Sequence, residues 1–203
     1  MDDETAFLAA LLDRPADDTT RLVYVDWLEE RGDIRGEFLR CAVAARTSAH
    51  AADLPQLLPR LRDLRPAVSP AWVGRAYRAL AEDDIREVVF RRMLDNGLGY
   101  VTFVGVEGRH DPSPYLSALL AELYCWVFSA SAAEFRDGEY REKQSGERGR
   151  LISLDGLTWE AEDRCTVNGE FFYDGLGAQG NLYRVGVRDG WWAVSEVSEL
   201  WVS

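Results

Sequence analysis

Apolar positions recur every three to four residues before Gly97, and mainly every second residue after Cys125. The first spacing is that of amphipathic helices and the second that of half-buried strands. Residues 3–13 read as a helix, with Phe7, Leu8, Leu11 and Leu12 on one face and Pro15 as the stop. Asp17-Asp18-Thr19-Thr20 offers an N-cap to a second helix reaching Arg31. Its expected apolar side is Leu22, Val23, Tyr24, Trp27 and Leu28, with Asp26, Glu29 and Glu30 toward water. Gly32 fits the position just past a helix end. A third helix is expected from Gly36 to Ala51, and a fourth over Leu54–Leu64. Ser69-Pro70 opens a fifth through Trp72, Val73 and Tyr77. A sixth, over Asp84–Leu94, buries Ile85, Val88, Val89 and Met93 and ends at Asn96-Gly97.

The rhythm then changes. Tyr100–Val106 is a β-branched run and reads as a strand, and Asp111-Pro112-Ser113-Pro114 opens a helix over Tyr115–Leu123. Strands are expected at Cys125–Ser131, Gly149–Ser153, Leu157–Tyr173, Asn181–Arg188 and Trp191–Val202. The last two form a hairpin around Arg188-Asp189-Gly190, with Tyr183, Val185 and Val187 on one face. Residues 134–150 are polar and read as a mobile loop or an exposed hairpin. The expected fold class is α+β. An all-helical module over residues 1–80 precedes a helix-plus-antiparallel-sheet domain over 81–203, a layout analogous to cystatin-like or nuclear-transport-factor-2-like folds.

Charge narrows the partners. The chain carries net −12; residues 1–82 contribute −3 and the remainder −9. An acidic surface repels phosphate, so neither nucleic acid nor an anionic membrane is the expected partner, and another protein is. No apolar run approaches membrane-spanning length, and Met-Asp-Asp-Glu has the wrong sign for a secretory signal. Cys41, Cys125 and Cys165 are scattered and odd in number, which fits a reducing cytoplasm and no disulfide framework. One Lys, Lys143, stands against 22 Arg, which reads as the codon bias of a GC-rich genome.

No catalytic constellation emerges. With His50 and His110 far apart and the cysteines dispersed, no zinc site is expected, and no Gly-x-Ser-x-Gly elbow is present. Gly175-Leu-Gly177-Ala-Gln-Gly180 matches a dinucleotide fingerprint literally, yet a strand pattern follows where a helix must begin. It reads as a connection between strands, and no cofactor is expected. Glu160-Ala-Glu162-Asp163 reads as a solvated strand segment without the glycine and loop geometry of a calcium site.

Two groups remain as candidate sites. Asp26, Trp27, Glu30, Arg31, Arg35 and Glu37 surround the Gly32 turn; Asp26 and Glu30 lie four apart on one helix face, and Arg35 is placed to fold back on them. They read as a structural clamp or a partner-docking edge. Trp159, Tyr183, Trp191 and Trp192 form an aromatic group that reads as core packing, or else as a pocket or patch in the curved sheet; adjacent Trp191 and Trp192 must face opposite ways.

The stretch Arg21-Leu-Val-Tyr-Val-Asp-Trp-Leu-Glu-Glu-Arg-Gly-Asp-Ile-Arg-Gly-Glu-Phe-Leu-Arg40 resembles the bacterial repeat-companion domain family, and the resemblance runs from about Asp3 to Tyr77. That family is a short N-terminal module of repeat proteins with no attached activity, which implies an interaction role; here no repeat array follows. Residues 84–203 resemble a group of small bacterial proteins of unknown function through Ile85–Met93, Gly146–Gly149 and the closing Trp201-Val-Ser203. The expected function is a non-catalytic interaction or scaffold protein. Two alternatives stand: a ligand-binding or enzymatic C-terminal domain with a cavity lined by Trp159, Tyr183 or Trp191, and an acidic inhibitor of a basic partner.

Overall fold

The computed structural model describes residues 2–47, 53–94, 101–124, 126–172 and 177–203. The expected Asn96-Gly97 helix end, Cys125, His50, Tyr173 and most of the Gly175–Gly177 segment lie outside them. The chain divides into two compact units, Met1–Asp84 with Val187–Trp191, and Ile85–Gly186 with Trp192–Ser203.

The first unit is built on helices. Helix α1 (Asp3–Asp13) starts where the Asp2 carboxylate accepts from Thr5 N at 2.7 Å. Helix α2 (Asp18–Glu29) starts in the same way, with Asp17 accepting from Thr20 N at 3.0 Å. Gly32, at φ +66°, ends it by letting Asp33 N reach back to Leu28 O. Helix α3 (Ile34–Thr47) then crosses α2 so closely that a methyl on Gly36 would lie 2.7 Å from Glu29 Cγ. Helices α4 (Leu54–Leu64) and α5 (Pro70–Ala76) follow, the latter capped by Ser69 as its Ser-Pro start predicts. Helix α6 (Arg78–Leu94) begins six residues before the expected Asp84, because Leu80 and Ala81 extend its buried face.

The phase of α2 differs from the expected one. Leu22 and Val23 are exposed, and the buried stripe is Arg21, Tyr24, Val25 and Leu28. Those four are spaced i, i+3, i+4, i+7, so they alone share one helical face. Packing of that face overrides the bare hydrophobicity of Leu22 and Val23.

The second unit carries an eight-stranded mixed sheet, so the α+β class holds. Its strands are β1 (Val101–Val106), β2 (Val127–Ser129), β3 (Ala133–Arg136), β4 (Glu139–Glu142), β5 (Arg148–Ala161), β6 (Arg164–Phe172), β7 (Ala178–Arg188) and β8 (Trp191–Val202). The main path runs β2-β1-β5-β6-β7-β8, and the β3–β4 hairpin attaches to β5. The expected antiparallel order holds for β5, β6 and β7, whereas β1 is parallel to both β2 and β5. Helix α7 (Pro114–Leu123) explains the first parallel pair: it carries the chain back so that β2 runs in the direction of β1.

Several strand boundaries also move: β2 is shorter than the expected Cys125–Ser131, and β7 begins three residues before the expected Asn181. Gly149–Ser153 and the start of the expected Leu157–Tyr173 strand form one strand, β5, with an irregularity between Asp155 and Thr158 at Gly156, φ +61°. The rest of that expected strand is β6. Glu162 and Asp163 are the turn between them, not strand residues, because their exposure suits a chain reversal. Residues 133–142 form the exposed hairpin, turning at Asp137-Gly138 with both φ positive.

Strict alternation sets the core of this unit. On β6, Cys165, Val167 and Phe171 are buried while their neighbours are not. Tyr183 and Val185 of β7 are buried as well, and α6 contributes Ile85, Val89, Phe90 and Met93. Phe103, Val101 and Leu151 form a further cluster with Tyr140 and Phe172 against it.

Candidate functional site

The residues around the Gly32 turn separate into three arrangements. Arg35 does not fold back on Asp26 and Glu30. It binds Glu4 of α1 at 2.7 Å and Asp33 at 2.6 Å. Helical geometry accounts for this: Arg35 is in the first turn of α3, facing α1, whereas Arg40 lies beside α2. Arg40 therefore takes Asp26 and Glu29, each at 2.7 Å. Glu37 pairs with Arg60 of α4. Arg31 lies over the Trp27 ring at 3.9 Å, donates to Trp27 O at 2.9 Å, and approaches Glu30 at 4.0 Å.

Arg35 belongs to a larger network. Glu4 also accepts from the Tyr24 hydroxyl at 3.0 Å, and that hydroxyl accepts from Trp72 Nε1 at 3.2 Å. Hydrogen bonding to Arg35 holds the Asp33 carboxyl below its usual range. Burial pushes the Tyr24 phenol well above its usual range, so it stays a donor toward Glu4 at every ordinary pH. The network ties α1, α2, α3 and α5 together through charged side chains that are only half-buried.

Arg21 is a second tie that residue type alone does not betray. It is 1% exposed, donates to Ala76 O at 3.1 Å and Pro15 O at 2.5 Å, and pairs with Asp18. Its guanidinium lies 4.0 Å from the Tyr77 ring centre. The signal for it was its spacing from Tyr24, Val25 and Leu28. Glu4 and Arg40 carried no comparable signal, since surface acids and arginines are common throughout the chain.

Above this framework α1 and α2 line an open groove of about 460 Å3, formed by Asp3, Ala6, Phe7, Ala10, Thr20 and Trp27. Four of these, Asp3, Ala6, Phe7 and Ala10, have the i, i+3, i+4, i+7 spacing of one helix face. The two alanines leave the space; Phe7 and Trp27 supply aromatic walls. Phe7 stacks on Tyr24 with centroids 5.2 Å apart and meets Trp27 at 5.9 Å, so the walls rest on the buried Tyr24 ring of that network. Residues 1–30 hold nine acids against two arginines, which surrounds the groove's sequence with negative charge.

The C-terminal aromatic group is distributed differently. Trp159 packs edge-on against Trp192 with centroids 5.6 Å apart. Tyr183 is buried, over a Gly169 whose added methyl would meet its ring at 2.6 Å. Trp191 is 49% exposed and Trp192 5%, as opposite strand faces require. Cys41 is half-buried and Cys165 is buried.

Among the described residues no group of three or more His, Cys, Asp and Glu is placed to hold a metal ion, and no helix is long and apolar enough to cross a membrane. No protein-family model matches the chain, and searches of curated proteins and of solved structures find no match.

Proposed function

We propose that the chain is a non-catalytic docking protein of the bacterial cytoplasm, and that the α1/α2 groove receives an apolar, positively charged helix of a partner protein. The observation that carries this reading is the groove itself: aromatic walls at Phe7 and Trp27, an alanine floor, and a strongly acidic surrounding sequence. The resemblance of residues 3–77 to the repeat-companion family supports it, because Trp27 and Arg31 lie within the motif that carries that resemblance. Apolar anchors supply affinity in such a groove, and the acids supply the choice of partner.

A model amphipathic Leu/Lys helical peptide is the first probe. Its titration is expected to shift the tryptophan fluorescence saturably and to weaken as salt rises. Ala10→Arg, which fills the groove and opposes a basic ligand, is expected to abolish the response. A response that is absent, or equal in Ala10→Arg, contradicts the proposal.

A further inference from the structure

A second cavity, in the sheet-bearing unit, has a different chemistry. It measures about 400 Å3 and is lined by Arg109, Ala130, Ala133, Phe135, Tyr140 and Leu151. That size lies within the range of small-molecule sites. Its walls are mainly apolar or aromatic, and Arg109 is the one charged lining residue among the described residues.

The loop that presents Arg109 is held in a costly shape. It leaves the carboxyl end of β1, where ligands of sheets with parallel strands commonly bind. Glu107, Gly108 and Arg109 all have positive φ, at 44°, 80° and 71°. Two of the three are not glycine, and each such residue stores strain. Surrounding contacts enforce the shape: Glu107 N donates to Leu154 O at 2.9 Å, Gly108 N donates to Asp155, and Val106 bridges His110. Gly105 leaves the room, since a methyl there would meet Arg109 Cα at 2.9 Å.

The guanidinium is oriented but not neutralised. It lies 4.2 Å from the centre of the Phe172 ring and donates to the Tyr140 hydroxyl at 3.3 Å. In a chain with 35 acids, no carboxylate among the described residues pairs with it. Phe135, 60% exposed, packs against Tyr140 with centroids 4.9 Å apart and continues the aromatic wall.

We propose that this cavity binds a small molecule with an aromatic or apolar body and a terminal carboxylate. The carboxylate pairs with the planar fork of Arg109, and the body lies against Phe135, Tyr140 and Leu151. The strained loop delivers the Arg109 guanidinium to the edge of this aromatic cavity.

The test titrates 4-fluorophenylacetate into the full chain and follows fluorine NMR linewidth. Saturable binding with a dissociation constant below about 1 mM is expected. The neutral 4-fluorophenylacetamide, and the Arg109→Gln variant with the acid, are each expected to bind at least about tenfold more weakly. Equimolar inorganic phosphate is expected to leave the probe bound. Arg109→Gly should also lose binding while raising Tm by about 2–4 °C, because glycine relieves the positive φ. Phe135→Ala, an exposed change, should weaken the acid and the amide alike. No saturation up to 10 mM probe overturns the proposal, as does equal binding of the amide, equal binding by Arg109→Gln, or displacement by phosphate. A lowered Tm in Arg109→Gly overturns the account of the loop.

Discussion

The indole Nε1 of Trp72 donates to the hydroxyl of Tyr24 at 3.2 Å, across 48 residues of sequence. The same hydroxyl donates to Glu4 Oε1 at 3.0 Å, so a single oxygen joins α5, α2 and α1. Phenylalanine at position 24 keeps the ring stack with Phe7 but leaves a buried indole N–H without its acceptor. Tyr24→Phe is therefore expected to cost about 1–3 kcal/mol, read as a lowered urea midpoint with an unchanged slope. A change smaller than about 0.5 kcal/mol would mean the hydroxyl is not a structural tie.

Arg21 gives a sharper contrast. Its forked guanidinium reaches two backbone carbonyls and one carboxylate at once, over an aromatic ring. A lysine keeps the charge but cannot satisfy three separated acceptors. Arg21→Lys is expected to lose at least about 2 kcal/mol in urea unfolding, close to the loss in Arg21→Ala. Full stability in the lysine variant would show that charge alone matters there.

Gly36 tests the α2/α3 crossing. An added methyl meets Glu29 Cγ at 2.7 Å and both Glu29 N and Leu28 Cβ at 3.1 Å. The helix gains propensity from alanine, about 1 kcal/mol, but the backbone contacts cannot yield without parting the helices. Gly36→Ala is expected to destabilise by about 1–3 kcal/mol net, whereas a stabilised variant would mean the pair separates freely.

Acid should loosen the first unit in a defined window. Asp33 has its pKa lowered from 3.8 by hydrogen bonds from Arg35, and Asp17 likewise by hydrogen bonds from Thr20. A carboxyl with a depressed folded pKa contributes stability that is complete above its unfolded value and is lost as pH falls toward the folded one. The urea midpoint should therefore fall from about pH 4 downward, and Asp33→Asn should flatten that fall. An identical acid slope in Asp33→Asn would remove Asp33 from the account.

Much of the backbone was legible in residue order. Asp17, Ser69 and Ser113 announce helix starts through side-chain caps that need only local sequence. Cys165, Val167 and Phe171 announce a half-buried strand by alternation alone. What escaped depends on long-range geometry. The parallel pairing of β1 with β5 joins residues about 48 apart, such as Phe103 and Leu151, and no local pattern encodes direction. Arg35 was expected beside Asp26 and Glu30 across the turn, yet it binds the nearby Asp33 and, 31 residues away, Glu4. The groove was invisible for the same reason: Ala6 and Ala10 become a floor only once α2 sets Trp27 beside Phe7.

The most direct test of the docking account places a photo-activated cross-linking residue at Ala10, with Glu160 of the other unit as the control position, in cells of the source organism. The account predicts an adduct at Ala10, absent at Glu160, whose captured segment is helical, apolar on one face and positively charged. Adducts no stronger at Ala10 than at Glu160, or capture of an acidic segment, would contradict it.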